Sequence, residues 1–252
     1  MTEGRLAGKA AIITGAGGGF GEGIARRFAA EGARVGILDL RADAAARVAD
    51  EIGAQAIALP ADVTDAAQMH AAFDTFAARI GQPGILVNNA GWTHVNKPVM
   101  AVTEDEFDRL FAVNVKSIYL ACRLAIPVMR AAGGGVILNI GSTAGMRPRP
   151  GLTWYNATKG AVNTATQSLA AELAPDQIRV NAICPVMGAT GLLEAFMGLP
   201  DTPENRARFV ATIPLGRLST PQDIAAAAVY LASDEAAFIT GVLMPVDGGR
   251  TI

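Results

Sequence analysis

The run Lys9-Ala-Ala-Ile-Ile-Thr14, followed at once by Gly15-Ala-Gly-Gly-Gly-Phe-Gly21, narrows the possible folds of this chain more than any other feature. The first six residues read as a short buried strand. Glu22-Gly-Ile-Ala-Arg-Arg-Phe-Ala-Ala30 then sets Ile24, Ala25, Phe28 and Ala29 at helical spacing. A strand that turns through glycines into a helix builds a phosphate site. The glycines let the backbone approach a pyrophosphate, and the N–H groups of the helix start face its negative charge. The spacing Gly15-xxx-Gly19-x-Gly21 differs from the commonest dinucleotide fingerprint, so it is the placement between strand and helix that gives the loop its weight. Gly15, Gly17, Gly18, Gly19, Phe20 and Gly21 are the expected contacts there.

The same rhythm continues. Arg34-Val-Gly-Ile-Leu38 is a second apolar strand, and Asp39 stands at its carboxyl end, where an acid can accept hydrogen bonds from an adenosine ribose. Three further apolar runs, Ala56–Val63, Ile85–Gly91 and Gly135–Ser142, each end in small polar residues. Strand and helix patterns alternate up to Ile183, which predicts one α/β domain over residues 1–252: a Rossmann-type, doubly wound parallel sheet with helices on both faces. Ligands of such sheets bind beyond the carboxyl ends of the strands, where these polar clusters fall. Residues 188–220 break the rhythm with glycine and proline and carry Leu192, Leu193, Phe196, Met197, Phe209 and Ile213.

Tyr155 and Lys159 lie four residues apart, with Ser142 across a glycine- and proline-rich loop. An i,i+4 pair shares one helix face, so phenol and ammonium can approach. A free tyrosine titrates near ~10, and a fixed neighbouring cation favours its anion. Such a Ser–Tyr–Lys set can polarise a carbonyl or take the proton of an alcohol.

Taken together, these residues resemble the short-chain dehydrogenase/reductase family over nearly the whole chain. Thr14 to Gly21 matches its glycine motif, Asp62-Val63 its adenine contact, and Asn88-Asn89-Ala90-Gly91 its Asn-Asn-Ala-Gly segment. Asn114 matches the helix asparagine, and Cys184-Pro185-Val186-Met187-Gly188-Ala189-Thr190 the nicotinamide segment, with Pro185, Val186 and Thr190 as contacts. Val246-Asp-Gly-Gly249 matches the carboxyl end. Two positions depart: Phe20 replaces the usual Ile or Leu, and Val186 replaces a glycine. The resemblance implies hydride transfer between a secondary alcohol or ketone and a nicotinamide. Tyr155 would be the acid/base, Ser142 the partner of the substrate oxygen and Lys159 the residue that lowers the Tyr155 pKa and holds the ribose. Asn114 would bind a water linking Lys159 to solvent. It also implies a substrate lid at 188–220 and a homotetramer whose two long helices, about Thr103–Ala132 and the one starting near Tyr155, pair across a twofold axis. Phe111, Tyr119, Ala161, Ala165 and Ser168 widen the apolar faces of these helices beyond one stripe.

Asp39 would repel a 2′-phosphate, and Ala16, Gly17 and Gly18 offer no cation to neutralise one, so NAD is expected over NADP; Arg41 is the one residue pointing the other way. A mostly apolar secondary alcohol or ketone is expected, against a wall of His94, Leu152, Met187, Leu192 and Phe196. Arg147 and Arg149, on the loop between Ser142 and Tyr155, read as solvated; the competing reading makes them an anion site. The net charge is −2, which argues against nucleic acid or an anionic membrane as partner. No apolar run reads as long enough to span a bilayer, which predicts a soluble chain, and the first ten residues lack the pattern of a signal peptide. Cys122 and Cys184 read as buried free thiols in a reducing cytoplasm. His70 and His94, without clustered carboxylates or thiols, make no metal site. Two other readings remain: an NADP-dependent 3-oxoacyl-[acyl-carrier-protein] reductase, and a dinucleotide-sensing protein without chemistry, which usually lacks the Tyr or Lys kept here.

Overall fold

Seven strands form one parallel sheet: β1 (Ala10–Thr14), β2 (Arg34–Asp39), β3 (Ala56–Pro60), β4 (Ile85–Asn88), β5 (Gly135–Ile140), β6 (Ile178–Pro185) and β7 (Leu243–Val246). The order across the sheet is β3-β2-β1-β4-β5-β6-β7. The computed structural model describes residues 4–252; residues 1–3, part of the amino-terminal stretch read above, lie outside the described residues. Between them the strands are linked by α1 (Gly19–Ala30), α2 (Ala42–Ile52), α3 (Ala66–Arg79), α4 (Glu104–Phe111), α5 (Ser117–Ala131), α6 (Thr153–Leu173), α7 (Leu193–Met197), α8 (Pro203–Val210) and α9 (Pro221–Ala232).

The strands are apolar at consecutive positions because both faces are covered. Ala11 and Ile13 face the core under α1, α2 and α9, while Ala10 and Ile12 face the one under α3, α5 and α6. Phe28 of α1 and Phe76 of α3 are fully buried, one on each side. β1 is hydrogen-bonded to both β2 and β4, and the strand order reverses there. Two neighbouring loops therefore leave the sheet in opposite directions and open a crevice at its carboxyl edge.

The helix expected from about Thr103 to Ala132 forms as α4, a π-helical turn at Ala112–Lys116, and α5. Its start is fixed by a capping box in which Thr103 and Glu106 exchange hydrogen bonds. This corrects one expectation. By length and composition the continuous Glu104–Ala131 helix is apolar enough to cross a bilayer. It lies instead against α3, β4 and α6, with Ile118, Ala121, Cys122 and Ala125 inside. Residues 188–220, expected as a lid, form α7, α8 and their loops, with a small core of Met187, Leu193, Met197, Ile213 and Leu218.

Candidate active site

A cleft of about 560 Å³ opens over the carboxyl ends of the central strands, with α7 and α8 above it. One half is formed by the glycine loop. Thr14 Oγ1 accepts the N–H groups of Asn89 and Ala90, both at 3.0 Å, and the Asn89 amide donates to Thr14 O and Gly15 O. These bonds stitch the loop after β1 to the loop after β4. Gly15 has φ +63°, and a Cβ there would stand 2.8 Å from Ala90 Cα, so only glycine fits. The Gly17 N–H donates to Asp39 Oδ2 at 2.9 Å and the Arg41 N–H to Oδ1 at 3.0 Å. An ionised carboxylate has about four acceptor positions. Two are used here, which leaves acceptors for a pair of ribose hydroxyls. The Arg41 guanidinium stays exposed, 3.5 Å from the same carboxylate.

The two departures from the family pattern have structural explanations. The Phe20 ring fills the space beside Gly188, where a Cβ would come within 2.3 Å of its Cζ. The glycine loop thus touches the root of the lid directly. Val186 has no left-handed backbone, since Gln177 is the only non-glycine residue with positive φ among the described residues. The position tolerates a side chain.

Gly15, Gly17, Gly18, Gly19, Phe20, Asp39, Asn89, Ala90, Gly91, Pro185, Val186 and Thr190 all line the cleft. Three expected contacts do not. Gly21 packs α1 onto the loop, where a Cβ would sit 2.3 Å from Gly15 O. The Asp62 carboxylate accepts from the Thr64 N–H and hydroxyl, both at 2.8 Å, and Val63 is buried beneath it.

The other half holds Ser142, Tyr155 and Lys159. Ser142 caps a 3-10 turn, and its Oγ accepts the Ala144 N–H at 3.0 Å. With one lone pair so engaged, its hydroxyl proton is left to donate, here toward the Tyr155 oxygen. Tyr155 and Lys159 lie one turn apart on α6, both buried, and Lys159 Nζ donates to Ile140 O at 2.8 Å. Burial pushes the Tyr155 phenol up to about 12, against the pull of the Ser142 hydrogen bond and the Arg149 charge. Burial brings the Lys159 ammonium down to about 8. The expected lowering of the phenol by Lys159 is therefore not what this geometry gives. The ammonium sits 5.8 Å from the Tyr155 ring centroid and is tied to a backbone carbonyl. Desolvation of the phenol outweighs it.

Asn114 sits in the π-helical turn, 1% exposed and outside the cleft lining. Its Oδ1 accepts the Trp92 N–H, and its Nδ2 donates to Trp92 O and to Thr158 Oγ1. These bonds bind the loop after β4 to α6. One acceptor lone pair remains, near the Gly91 position that Lys159 Nζ also approaches.

On the substrate side Met187, Leu192 and Phe196 line the cleft, and the Phe196 ring meets Tyr155 edge-on at 5.1 Å. Two expectations fail. His94 is buried away from the cleft, with Nδ1 held by Val95 O at 2.8 Å. Leu152 points into a small core with Leu110, Ala144 and Tyr155. Phe209 of the expected lid joins the lining, and so do Trp92 and Arg250, which were not anticipated. For Arg250 the sequence did carry a signal. Asp247 accepts the Gly249 and Thr251 N–H groups, so the Asp-Gly-Gly turn folds the chain end back toward the lid. His70 pairs with Asp74 at the surface, and Trp154 packs edge-on against Phe107.

Comparison with known proteins decides the family. A family model described as enoyl-(acyl carrier protein) reductase matches residues 15–251. The chain is 48% identical over 245 residues to 4-formylbenzenesulfonate dehydrogenase TsaC1/TsaC2 of Comamonas testosteroni, covering 96% of this chain and 97% of that one. This chain is a short-chain dehydrogenase/reductase. It is also 39% identical over 248 residues to the 7alpha-hydroxysteroid dehydrogenase of Escherichia coli K12, covering 97% of this chain and 95% of the relative. Its fold superposes with a TM-score of 0.93 on a 3-ketoacyl-(acyl-carrier-protein) reductase from Brucella melitensis complexed with NADH, at 49% identity over 98% of this chain and 100% of that one. The short-chain dehydrogenase/reductase is thus an oxidoreductase acting on CH–OH groups with a nicotinamide cofactor. The glycine cradle and the spare acceptors of Asp39 fit such a group.

Proposed function

We propose that this enzyme interconverts a secondary alcohol and its ketone with NAD(H). The observation that carries the reading is the meeting of Ser142, Tyr155 and Lys159 in the cleft that Asp39 and the glycine loop begin. When bound, the nicotinamide gives or takes the hydride. Ser142 turns its hydroxyl proton from Tyr155 to the substrate oxygen and stabilises charge there. Tyr155 exchanges the proton at that oxygen, and Lys159 holds the cofactor ribose. The spare lone pair of Asn114 suits a water that reaches Lys159. A screen of secondary alcohols with NAD, followed by absorbance of the reduced cofactor, tests this reading; no turnover with any alcohol or ketone would leave a non-catalytic dinucleotide protein.

Preference for NAD rests on Asp39, whose charge opposes a 2′-phosphate at short range, worth about a hundredfold in kcat/KM. A second reading, a 3-oxoacyl-[acyl-carrier-protein] reductase, draws on the neighbour from Brucella melitensis, whose title names that activity and NADH. Relatives of similar or lower identity are named for a formylbenzenesulfonate and a steroid, and we favour a small or medium, mostly apolar carbonyl compound. Comparing acetoacetyl thioesters with simple ketones separates the two.

We further propose a homotetramer in the cytoplasm. The apolar Glu104–Ala131 helix is largely uncovered within one chain, Tyr119 is exposed, and β7 forms a half-buried sheet edge. A helix apolar on two faces calls for a second partner. Light scattering at micromolar concentration should give four chains, and a monomer would refute it. Cys122 and Cys184 are buried free thiols, which suits a reducing compartment.

A further inference from the structure

Five cationic side chains and one acid line the cleft of a chain whose net charge is −2. Asp39 and Arg41 belong to the adenosine end, and Lys159 lies beneath Tyr155. The other three, Arg147, Arg149 and Arg250, stand together on the substrate side. Arg149 is half-buried with its guanidinium 5.8 Å from the centroid of the Phe209 ring on α8. No acidic side chain pairs with Arg147, Arg149 or Arg250 among the described residues, whereas eight other arginines here have such a partner. Burial pulls the Arg149 pKa down, and both the Tyr155 phenol and Arg250 act on its charge. Its backbone is fixed as well: Asn156 Nδ2 donates to Arg149 O at 2.8 Å, which ties it to the residue after Tyr155. Arg147 Nη1 donates to Arg250 O at 2.7 Å and so draws the chain end into the group.

A guanidinium taken out of water without a counter-charge is unfavourable. A planar or tetrahedral oxyanion relieves that cost by accepting two parallel N–H bonds from one arginine. Between these cations and Tyr155 the walls are Met187, Leu192, Phe196 and Phe209. We propose that the substrate has an oxyanion, a sulfonate or carboxylate, at the end remote from its reacting carbon, joined by a flat apolar spacer, and that Arg149 with Arg147 and Arg250 receives it. The inference rests on the dehydrogenase reading above and gives the mostly apolar substrate proposed there one charged end. The phosphate of a carrier arm offers the same chemistry from another source.

The test compares acetophenone, 4-acetylbenzoate and 4-acetylbenzenesulfonate, each by NADH-dependent turnover and by calorimetric binding to the NADH-loaded protein. The parent enzyme should favour the two anions at least about tenfold in kcat/KM. Arg149→Ala should lower the anion-to-neutral ratio by about a hundredfold, mainly through KM, with Arg149→Lys between the two because it keeps the charge and loses the fork. Equal kcat/KM for all three ketones in the parent enzyme, or an equal loss on all three in Arg149→Ala, overturns the proposal and leaves the dehydrogenase reading standing. If no ketone turns over, tighter binding of the sulfonate that disappears in Arg149→Ala upholds the oxyanion site while the activity reading falls; equal binding of neutral and anionic probes overturns the site too. Acetoacetyl-CoA against acetoacetyl-N-acetylcysteamine, the same thioester without phosphates, separates the sources: an Arg149-dependent preference for the CoA ester alone assigns the cations to a carrier arm and overturns the sulfonate or carboxylate.

Discussion

The two halves of the cleft are built on opposite terms. In the dinucleotide half the polar groups are engaged before any ligand arrives: Thr14, Asn89, Gly17 and Asp39 are joined by hydrogen bonds of 2.9–3.0 Å. In the substrate half Arg149 has no acidic partner among the described residues, and the wall comes from two short helices and a loop. A site made for one unchanging ligand gains from being rigid, because less ordering cost is left to binding. A site that selects among substrates keeps its polar capacity unspent, and its walls lie on segments that vary most readily.

The sharpest way to break this contrast lies where the halves meet. Tyr155→Phe removes the proton-transfer group alone, so turnover should fall by about a thousandfold or more while NADH binding stays nearly intact. Retention of most activity would remove Tyr155 from its role. At the adenosine end, Asn in place of Asp39 keeps an acceptor for the Gly17 N–H and removes the charge. The NAD-over-NADP ratio of kcat/KM should shrink by about a hundredfold as Arg41 becomes available to a phosphate. An unchanged ratio would mean that the carboxylate does not meet the ribose.

The third prediction uses the buried ammonium. Lys159 has a folded pKa of about 8, below its ordinary 10.5. Below pH 8 the ammonium is charged in both folded and unfolded chains, and only the folded chain bears the cost of burying it. Above pH 10.5 it is neutral in both, and that cost vanishes. Lys159→Met should therefore stabilise the unliganded enzyme by about 2 kcal/mol at neutral pH, after allowing for the lost bond to Ile140 O, and the gain should fade between pH 8 and 10.5. Urea unfolding at several pH values measures it, and a gain that grows with pH would contradict the assignment. The smallest effect is expected at Val186→Gly, where the backbone needs no glycine; kcat/KM should change by no more than about threefold. A larger loss would give the Val186 side chain a role against the nicotinamide.

How far the sequence reached follows the same division. Strands and the glycine loop were legible because their signals are local: apolar runs, a glycine turn, and an acid at a strand end. Ser142, Tyr155 and Lys159 were legible through ordered spacing and resemblance, and the fold brings them to one cleft. His94 and Leu152 were misread because nearness to a motif in sequence does not fix the direction of a side chain. Loop and helix geometry turned both inward. Arg250 was missed because its neighbour Arg147 lies 103 residues away, and only the Asp247 turn brings them together. The Lys159–Tyr155 relation was read from spacing, whereas burial, which depends on the whole fold, decides their protonation.

The Phe20 ring beside Gly188 has a consequence for how this enzyme can change over generations. The two residues share one volume, and a Cβ at residue 188 would lie 2.3 Å from the ring. Substitution at 188 requires the Phe20 ring to move, whereas Phe20 can shrink first and leave a void. The easier order of steps runs from 20 to 188 on the way out and from 188 to 20 on the way back. A lineage that enlarged residue 188 would regain phenylalanine at 20 only after residue 188 had shrunk again, so this single contact couples the descent of the loop to that of the lid it supports.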